Sequence, residues 1–488
     1  MEQGKACRSE DASEGQGHPD VSRTLNIGSI PVEIGVSVKR TSASRNRAIV
    51  VGAGIGGLTA AGALARHFRE VIVLERDTLP THPEHRSGVP QGRHVHGLLG
   101  GGLRALDHLF AGFGAALAAA GAVPVRMGLD VRAEQPGYDP FPRRDLGWIG
   151  YSMSRPLLEH VVRLFVESND RVEIRTKCHV REITGSSDGA MATGVRLYAR
   201  DGDAELVPAD LVVDASGRRA LTLDFLDRAG CTAPQESSID VDIRYTCAIL
   251  ELAPGASHDW QVLQTRPDPS VGRRAIMYRI EGGNRWILGL GGVNGDSAPS
   301  ELGGFIDYAR TLRTRTVYDA IRDAQPIGEI MRFAFPRSYR RHFERVANFP
   351  RQLLPIADTL CRINPAFGQG MSVAAKEAVL LGSLLEELRD SEDRAGDLAQ
   401  VFFARLATVL DDPWKTASGD YMYPHLKDSR PADFAERASF QAALSRLAAS
   451  DPSFHKLMLE VAHLMKPSSV YREPAIAERI AAHIKPEE

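Results

Sequence analysis

The clearest pattern of apolar and polar positions begins at Ala48. A short apolar run, "AIVVG", is followed by small and apolar residues at helical spacing in "IGGLTAAGALARHF", and then by a second apolar run, "VIVLE". Apolar runs of this length are typical of buried strands, and the order strand, turn, helix, strand predicts a βαβ unit with a parallel sheet. A later apolar run, "ADLVVDASG", predicts another buried strand that ends in a turn.

The pattern changes between about Cys231 and Met331. The stretches "VDIRYTCAILEL", "RRAIMYRIEGG" and "NRWILGLGGV" carry alternating, β-branched and aromatic residues separated by Gly-rich junctions, which predicts an antiparallel sheet. Residues 302–324 are predicted to be helical. The chain then returns to a buried strand in "QLLPIAD", enters the helix "GMSVAAKEAVLLGSLLEEL", and is mostly helical from Leu398 onward.

These elements predict an α/β fold in which a Rossmann-like nucleotide-binding domain admits an inserted antiparallel β-sheet substrate domain and is followed by C-terminal helices. The predicted boundaries are a disordered polar leader over 1–45, a discontinuous nucleotide-binding domain over 46–230 and 332–390, a β-rich substrate domain over 231–331 and a helical region over 391–488. A start codon assigned too early is an alternative explanation of the leader.

Composition narrows the function classes. The 488 residues carry a formal net charge of −3 without a basic block, which argues against a nucleic-acid partner. No window of about 18 consecutive apolar residues is present, so no transmembrane segment is predicted. Five scattered cysteines without a C-x-x-C pair indicate a reducing compartment, and we expect a cytoplasmic protein. His94 and His96 are expected on one face of a strand, but no carboxylate or thiolate completes a metal site with them.

The first motif is Gly52-x-Gly54-x-x-Gly57, placed between the first strand and the first helix. Gly52 permits a tight turn, Gly54 lets a pyrophosphate approach the backbone, and Gly57 permits close packing of helix on strand. Glu75 ends the second strand, where a carboxylate accepts hydrogen bonds from ribose hydroxyls, and Arg76 follows it as a further candidate. This turn is predicted to bind a dinucleotide, but the motif does not distinguish NAD from FAD.

The second motif lies in "LLPIADTLCRINPAFGQGMSVAAKEA". Asp358 ends an apolar strand, Pro365 belongs to a turn, and Gly368 and Gly370 flank the start of a helix of small residues. A helix N-terminus with free N–H groups favours a polar or anionic ligand. An ordinary strand–loop–helix connection explains the Pro and Gly residues but not the position of the aspartate.

Together these motifs resemble those of the FAD-dependent aromatic hydroxylase-type monooxygenases. The resemblance covers about Ala48 to Leu385 and implies that FAD is the cofactor. It also implies that Asp358 binds the ribityl chain, with Pro365, Gly368 and Gly370 beside the flavin. The chain has Ala357 where the family has Gly, and the extra methyl is expected close to the cofactor.

Three more residues follow from the resemblance. In "GVPQGRHVHGLL", Arg93 is expected to reach the flavin, and this stretch is especially like that of bacterial epoxidases and hydroxylases of secondary metabolism, polyether epoxidases among them. Arg155 matches a family arginine that contacts the nucleotide portion of FAD. Asp214, in "DASGR", matches the family's internal Asp–Gly motif loosely and is taken as a cofactor contact.

The implied activity is transfer of one oxygen atom from O2 to a hydrophobic small molecule, by epoxidation or hydroxylation. NAD(P)H is expected as a transient co-substrate, since no second dinucleotide motif is present, and a separate flavin reductase is an alternative electron source. No catalytic side chain is assigned; Met277, Tyr278 and Trp286 are pocket candidates that core packing explains equally well.

Three alternatives share the fold. A flavin-dependent halogenase is expected to carry a Trp-x-Trp-x-Ile-Pro stretch, which is absent here. A reductase of isoprenoid-type double bonds is not expected to place oxygen in its product. A non-enzymatic escort of prenylated proteins is expected to lose the cofactor motifs, which this chain keeps.

Overall fold

The computed structural model describes residues 21–27, 30–36, 45–198, 204–253, 255–256, 258–390 and 398–485. The strands in this part of the chain are β1 (Val21–Ile27), β2 (Ile30–Val36), β3 (Arg45–Val51), β4 (Phe68–Leu74), β5 (Val123–Arg126), β6 (Val131–Glu134), β7 (Ile149–Ser152), β8 (Val172–Arg175), β9 (His179–Gly185), β10 (Ala192–Tyr198), β11 (Ala204–Pro208), β12 (Leu211–Asp214), β13 (Glu236–Ile239), β14 (Ile243–Glu251), β15 (Val262–Thr265), β16 (Arg274–Ile280), β17 (Arg285–Val293), β18 (Gln325–Pro326), β19 (Met331–Phe335), β20 (Ser338–Arg341), β21 (Leu353–Pro355) and β22 (Cys361–Arg362).

The α-helices in the same ranges are α1 (Ile55–Leu64), α2 (Gly100–Leu109), α3 (Phe113–Ala119), α4 (Arg155–Glu167), α5 (Leu221–Arg228), α6 (Leu302–Arg310), α7 (Thr316–Ile321), α8 (Gly370–Glu387), α9 (Leu398–Ala417), α10 (Phe434–Ser450), α11 (Pro452–Ala462) and α12 (Pro474–Ala481). None of them is both long and apolar enough to cross a membrane.

A five-stranded parallel sheet in the order β21-β12-β3-β4-β8 forms the centre of the first domain. The apolar run of β3 is fully buried at Ala48, Ile49 and Val50. Continuous apolar strands suit a parallel sheet, because helices cover its faces. Helix α1 packs against β3, β4, α4 and α8. The predicted α/β fold class is confirmed, and β21 brings the chain back into this sheet where the pattern predicted a strand.

A seven-stranded sheet forms the second layer, in the order β18-β14-β17-β16-β15-β6 with β19 also on β14. Its pairs are antiparallel except β15 with β6. Helices α6 and α7 cover one face, where Phe305 and Val317 are fully buried. Strand β6 belongs to this sheet but lies outside the predicted range 231–331. The sequence does not predict it, because the apolar and polar residues of "VRAE" alternate only weakly.

Strands β1 and β2 form an antiparallel hairpin, with Val21 opposite Val36 and Ile27 opposite Ile30. This differs from the disordered leader predicted for these residues. The alternating apolar positions of "IPVEIGV" account for the difference, since this pattern is typical of strands. The remainder of the predicted leader, residues 1–20, 28–29 and 37–44, lies outside the described residues.

Candidate functional site

The parallel sheet places the candidate residues at one edge. Strands β3, β4, β12 and β21 run in the same direction, so their carboxyl ends meet at the same side of the sheet. Gly52, Glu75, Asp214 and Asp358 each lie at or just after one of these ends. In open α/β sheets, ligands bind in the crevice outside these ends.

The three glycines of the first motif have different surroundings. Gly52 has a φ of +103°, and a Cβ on it would lie 2.7 Å from the carbonyl oxygen of Ala215. A Cβ on Gly57 would lie 1.8 Å from the carbonyl oxygen of Gly52, so only glycine permits this packing of α1 on the turn. No atom of the described residues lies within 4 Å of a Cβ built on Gly54. The helix N-terminus at Gly54 is therefore open for a ligand.

Glu75 follows β4 directly and lies buried beside this turn. Its carboxylate accepts hydrogen bonds from the backbone N–H groups of Ala53 (2.8 Å) and Asp77 (3.0 Å). Buried Arg86 lies 3.2 Å from Glu75 and also forms ion pairs with Asp77 and Glu159. Glu75 has the predicted position, and its contact with a ribose stays a prediction.

Asp358 lies in the single 3-10 turn Ala357–Thr359 that follows β21. Its side chain is 47% exposed and lies 3.8 Å from Arg362. The protein groups around the Asp358 carboxyl remove part of its hydration and so raise its pKa. The positive charges of Arg362, Arg155 and Arg218 oppose this rise. The side chain of Asp358 therefore lies in a recess: solvent reaches it, protein groups surround it, and three arginines lie close enough to affect its charge.

Arg155 is the first residue of α4. Its side chain is buried, and its charge affects that of Asp358. Its Nη2 donates to Glu159 (2.7 Å), whereas its Nε has no hydrogen-bond partner among the described residues. Glu159 also pairs with Arg86, which connects Arg155 to the surroundings of Glu75. The structure therefore brings together Glu75, Arg155 and Asp358, which are far apart in sequence.

Ala357 adopts a left-handed backbone conformation, with a φ of +54°. Its N–H donates to Glu377 of α8 (2.7 Å), and its Cβ faces Gly56 of α1. The methyl packs against Gly56, which lies within the first glycine motif, and the expectation that it lies close to the cofactor stays a prediction. Burial raises the pKa of Glu377 to about 8, and the negative charge of Asp358 adds to the rise.

The second open helix end is that of α8. Gly368 has a φ of +65°, and a Cβ on Gly370 has no atom within 4 Å among the described residues. Gln369, between them, is buried, and its Oε1 has no hydrogen-bond partner there. Pro365 starts the 3-10 turn that leads to Gly368. We call the space bordered by Gly54, Asp358 and Gly370 the cofactor cleft.

Asp214 has a different environment. Its carboxylate is fully buried and accepts hydrogen bonds from the N–H and hydroxyl of Thr222 (2.7 and 2.8 Å) and from the N–H of Ser216 (3.0 Å). The predicted direct contact with a cofactor is therefore corrected. Asp214 holds the turn between β12 and α5, because its oxygens satisfy the free N–H groups at the start of that helix.

Arg93 and Arg76 lie at the surface. Arg93 ends the 3-10 helix Pro90–Arg93 and lies 3.8 Å from exposed Glu329, and Arg76 is exposed after β4. Neither is placed against Asp358, so their cofactor contacts stay predictions. His94 and His96 lie in a loop, not in the expected strand. Among the described residues, no group of three or more His, Cys, Asp or Glu side chains is placed to hold a metal ion.

The pocket candidates lie on opposite faces of the second sheet. Met277 and Trp286 pack in the core under α6 and α7, which corrects their assignment to a pocket. Tyr278, next to Met277 on β16, faces the other way and exchanges hydrogen bonds with the backbone of His96 (2.5 and 2.7 Å). Since Gly97, the residue after His96, lies near Gly368, the Tyr278 face is the one toward the cofactor cleft.

Sequence reasoning missed Glu377, Arg86 and Arg218. An acidic residue among apolar neighbours in "VAAKEAVLL" is a signal that could have identified Glu377, since a buried acid is rare unless it is paired. Arg86 and Arg218 carry no such signal, because their partners come from distant parts of the chain.

The cofactor cleft fits FAD. Two helix N-termini with open space in front of them suit a pyrophosphate and a polar ring edge. The unpartnered Arg155 Nε and Gln369 Oε1 supply a donor and an acceptor at its border. Asp358, half-exposed in the cleft, offers a carboxylate to hydroxyl groups.

Comparison with known proteins gives relatives over most of the chain. The family described as NAD(P)-binding Rossmann-like domain matches residues 50–98. Protein Rv3254 of Mycobacterium tuberculosis is 31% identical over 398 residues, which cover 79% of this chain and 82% of the relative. Kynurenine 3-monooxygenase of Salinispora arenicola is 26% identical over 382 residues, 74% of this chain and 76% of that protein. The solved structure of the flavin-dependent brominase Bmp2 shares the fold, with a TM-score of 0.63 and 15% identity over 89% of this chain and 99% of its own.

Proposed function

The chain belongs to the FAD-dependent aromatic hydroxylase-type monooxygenase superfamily, with FAD as cofactor and NAD(P)H as reductant, and on this premise we propose that it transfers one oxygen atom from O2 to a hydrophobic organic substrate. The observation that carries the proposal is the combination of two open helix N-termini, at Gly54 and Gly370, with the half-exposed Asp358 and the positive charge of Arg155 near it. We place the activity in secondary metabolism, as epoxidation or hydroxylation. This finer assignment rests on the "GVPQGRHVHGLL" stretch alone.

When bound, FAD supplies the redox chemistry, taking electrons from NAD(P)H and activating O2. The protein supplies binding and charge. The N–H groups of the turn at Gly54 would hold the pyrophosphate, and Arg155 would neutralise its negative charge. Asp358 would accept hydrogen bonds from the ribityl hydroxyls, and the start of α8 at Gly370 would face the polar edge of the flavin ring.

The substrate would bind between the cofactor cleft and the second sheet. The sheet face that carries Tyr245, Cys247 and Tyr278 is apolar and buried. An apolar wall excludes water from the reacting atoms and orients a hydrophobic molecule by shape. We therefore propose a substrate with few charged groups, and we propose that Tyr278 holds the loop of residues 94–99 beside this space through its hydrogen bonds to the backbone of His96.

The direct test starts from the full chain purified without added substrate. Its visible spectrum is recorded, NADPH is added without oxygen, and ¹⁸O-labelled O2 is then admitted with a panel of aromatic and alkene compounds. We expect a flavin spectrum that bleaches with NADPH and a product that contains one ¹⁸O atom. A protein that stays colourless after incubation with FAD would contradict the proposal. Bound flavin that only an added flavin reductase can reduce would assign electron supply to a separate protein.

Gly54→Ala tests the cleft itself. Because open space surrounds a Cβ at this position, the substitution should leave the melting temperature of the FAD-free protein nearly unchanged. The methyl would occupy space that a pyrophosphate needs, so FAD affinity should fall at least tenfold, measured by quenching of flavin fluorescence on titration. Gly382→Ala, inside α8, where a Cβ would make an ordinary 3.6 Å contact with Ala63 and the backbone is helical, is the control. Equal FAD affinity in wild type and Gly54→Ala would remove Gly54 from the site.

A halogenase is the second candidate, because the brominase Bmp2 shares this fold. A likeness at 15% identity extends to the fold alone. The tryptophans Trp148, Trp260, Trp286 and Trp414 form no Trp-x-Trp pair, which favours oxygen transfer. Adding bromide to the same assay separates the two activities: a halogenase gives a brominated product. A reductase of double bonds gives a product with neither bromine nor ¹⁸O.

A further inference from the structure

Asn364 lies at the junction of the cofactor cleft and the second sheet. It is fully buried and precedes the 3-10 turn Pro365–Phe367 that leads into α8. Its Oδ1 accepts hydrogen bonds from the hydroxyl of Tyr245 on β14 (2.6 Å) and from the N–H of Ala366 (3.0 Å). Its own N–H donates to the Ser338 hydroxyl (3.0 Å). The conformation of residues 364–370 therefore depends on how this one side chain is held.

The other end of the Asn364 side chain is held by Asp420. Asp420 is 1% exposed and lies in the 3-10 helix Ser418–Met422 that follows α9. Its two carboxylate oxygens accept from Asn364 Nδ2 at 2.9 and 3.2 Å. A side-chain amide has donors on one side and an acceptor on the other, so Asp420 and Tyr245 together fix which way Asn364 points.

We infer that Asp420 is a positioning residue for the cofactor: it holds Asn364, and through Asn364 the 364–370 loop at the start of α8, in the conformation that faces the cofactor cleft. The C-terminal region thereby takes part in cofactor binding, although Asp420 itself lies outside the cleft. The inference rests on FAD being the cofactor, on which the proposed function also rests.

Protonation of Asp420 gives the inference a measurable consequence. Burial raises the pKa of Asp420 to about 6, and this rise is opposed by the charge of Arg274 on β16, the hydrogen bond from Asn364 and the charge of His425. Tyr245 of β14 faces the same group and stays neutral, because burial raises its pKa. Above pH 6 the bond from Asn364 has an ionised acceptor, and such bonds are about twice as strong as neutral ones. The bond weakens when the pH falls below 6.

FAD affinity should therefore fall as Asp420 takes up a proton. If FAD prefers the loop held by ionised Asp420, the dissociation constant rises as the pH is lowered from 7 to 5. We expect a rise of roughly threefold to tenfold, the low end of coupling between linked sites. The pKa values of His94, about 3, and His96, about 4, lie below this range, so these two histidines do not account for it.

The experiment is a titration of the flavin-free full chain with FAD between pH 5 and 8, followed by flavin fluorescence, with a melting curve at each pH. Wild type should show the rise in dissociation constant between pH 7 and 5, and Asp420→Asn should lose it. Asp428→Asn, at an exposed aspartate of the same C-terminal segment, is the control and should keep the wild-type profile. Asn364→Ala should also lose the rise, and Asp420→Asn should have no further effect in that background, since Asp420 acts through Asn364.

Two results would overturn the inference. One is a wild-type pH profile in Asp420→Asn. The other is an effect of Asp420→Asn that is undiminished when Asn364 is already alanine. If Asp420→Asn melts too low to titrate, Asn364→Ala decides the question by the presence or loss of the pH dependence. Failure of every variant and of wild type to take up FAD at any pH overturns the proposed function as well.

Discussion

At the scale of single residues, Ala357 and Gly56 form a complementary pair. Ala357 has a φ of +54°, a conformation that costs a non-glycine residue about 1–2 kcal/mol. Its methyl occupies the space that the absent side chain of Gly56 leaves, since a Cβ on Gly56 would lie 2.7 Å from it. The turn that carries Asp358 is thus packed directly on the helix that begins at the glycine motif.

This pair gives a double-mutant prediction. Gly56→Ala should destabilise the protein by about 1–3 kcal/mol through overpacking. In an Ala357→Gly background most of that loss should be recovered, because the methyl that causes the clash is gone. Denaturant unfolding of the flavin-free proteins measures both effects. Strictly additive effects of the two substitutions would show that the two methyls do not meet.

Glu377 is the second residue with a consequence for stability. Its pKa is raised from about 4.5 to about 8 by burial, so the folded state binds its proton more tightly than the unfolded chain does. Its contribution to stability is therefore complete below pH 4.5 and is lost as the pH rises through 8. Above that pH the folded protein carries a buried charge close to Asp358.

We predict that Glu377→Gln removes this dependence. Relative to the variant, wild type should lose up to a few kcal/mol of unfolding free energy between pH 5 and 9, with the difference constant above about pH 8. Glu386→Gln, half-exposed on the same helix, is the control and should leave the pH dependence unchanged. Parallel curves for wild type and Glu377→Gln would refute the assignment of a raised pKa.

At the scale of elements, the second sheet separates two environments by strand alternation. Along β16, Met277 faces α6 and α7, whereas Tyr278 faces the loop of residues 94–99. That loop approaches β17 closely at Gly289, where a Cβ would lie 2.6 Å from Val95 Cγ2. A glycine in a strand often marks such an approach of another backbone.

Gly289→Ala should therefore push the loop of residues 94–99 away from the sheet. Because Gly97 of this loop lies near Gly368, we expect weaker FAD binding, roughly threefold to tenfold, together with a loss of about 1–3 kcal/mol in stability. Adding Val95→Ala removes the contacting methyls and should restore both properties. FAD titration and unfolding curves of the single and double variants provide the measurement, and a double variant no better than Gly289→Ala would contradict the argument.

The sequence predicts elements better than it predicts contacts. The strand before Gly52, the helix at Gly370 and the return of the chain at Leu353 have long apolar or small-residue patterns, and all are present. The expected strand at His94 is a loop. Its backbone hydrogen-bonds to the hydroxyl of Tyr278 and its Val95 packs on Gly289, and these contacts with a distant sheet cannot be predicted from the local sequence pattern. Asp214 matches a motif position, yet its hydrogen bonds go to Thr222 of its own domain.

At the scale of the whole molecule, five histidines with lowered pKa values favour unfolding in acid. Burial lowers these pKa values, to about 3 for His94 and to about 4 for His67, His96, His455 and His463. In the unfolded chain these histidines have a pKa near 6.5 and bind protons more readily. Their contribution to the free energy of unfolding is therefore complete above pH 6.5 and is lost as the pH falls toward 4. Asp420 and Glu377, whose pKa values burial raises, act in the opposite direction.

The unfolding free energy should accordingly fall as the pH is lowered from 6.5 toward 4, and each of these histidines should contribute up to about 1.4 kcal/mol per pH unit to the slope. His463→Gln, which removes one buried imidazole, should reduce this slope by about one proton. His108→Gln, at an exposed position on α2, should leave it unchanged. Urea unfolding between pH 5 and 6 gives the slopes, and an unchanged slope in His463→Gln would contradict the prediction.

The return of β21 to the first sheet also sets a time for cofactor loading during synthesis. Strand β12 ends at Asp214 and its partner β21 begins at Leu353, with the second sheet encoded between them. At about 5–20 residues per second, a ribosome needs roughly 7–28 s to make the intervening chain. For that interval the nascent sheet ends in an open β12 edge, and the second half of the cofactor cleft does not yet exist. The site for FAD can therefore be completed only late in translation, and until then the backbone groups along the β12 edge have no strand partner from β21.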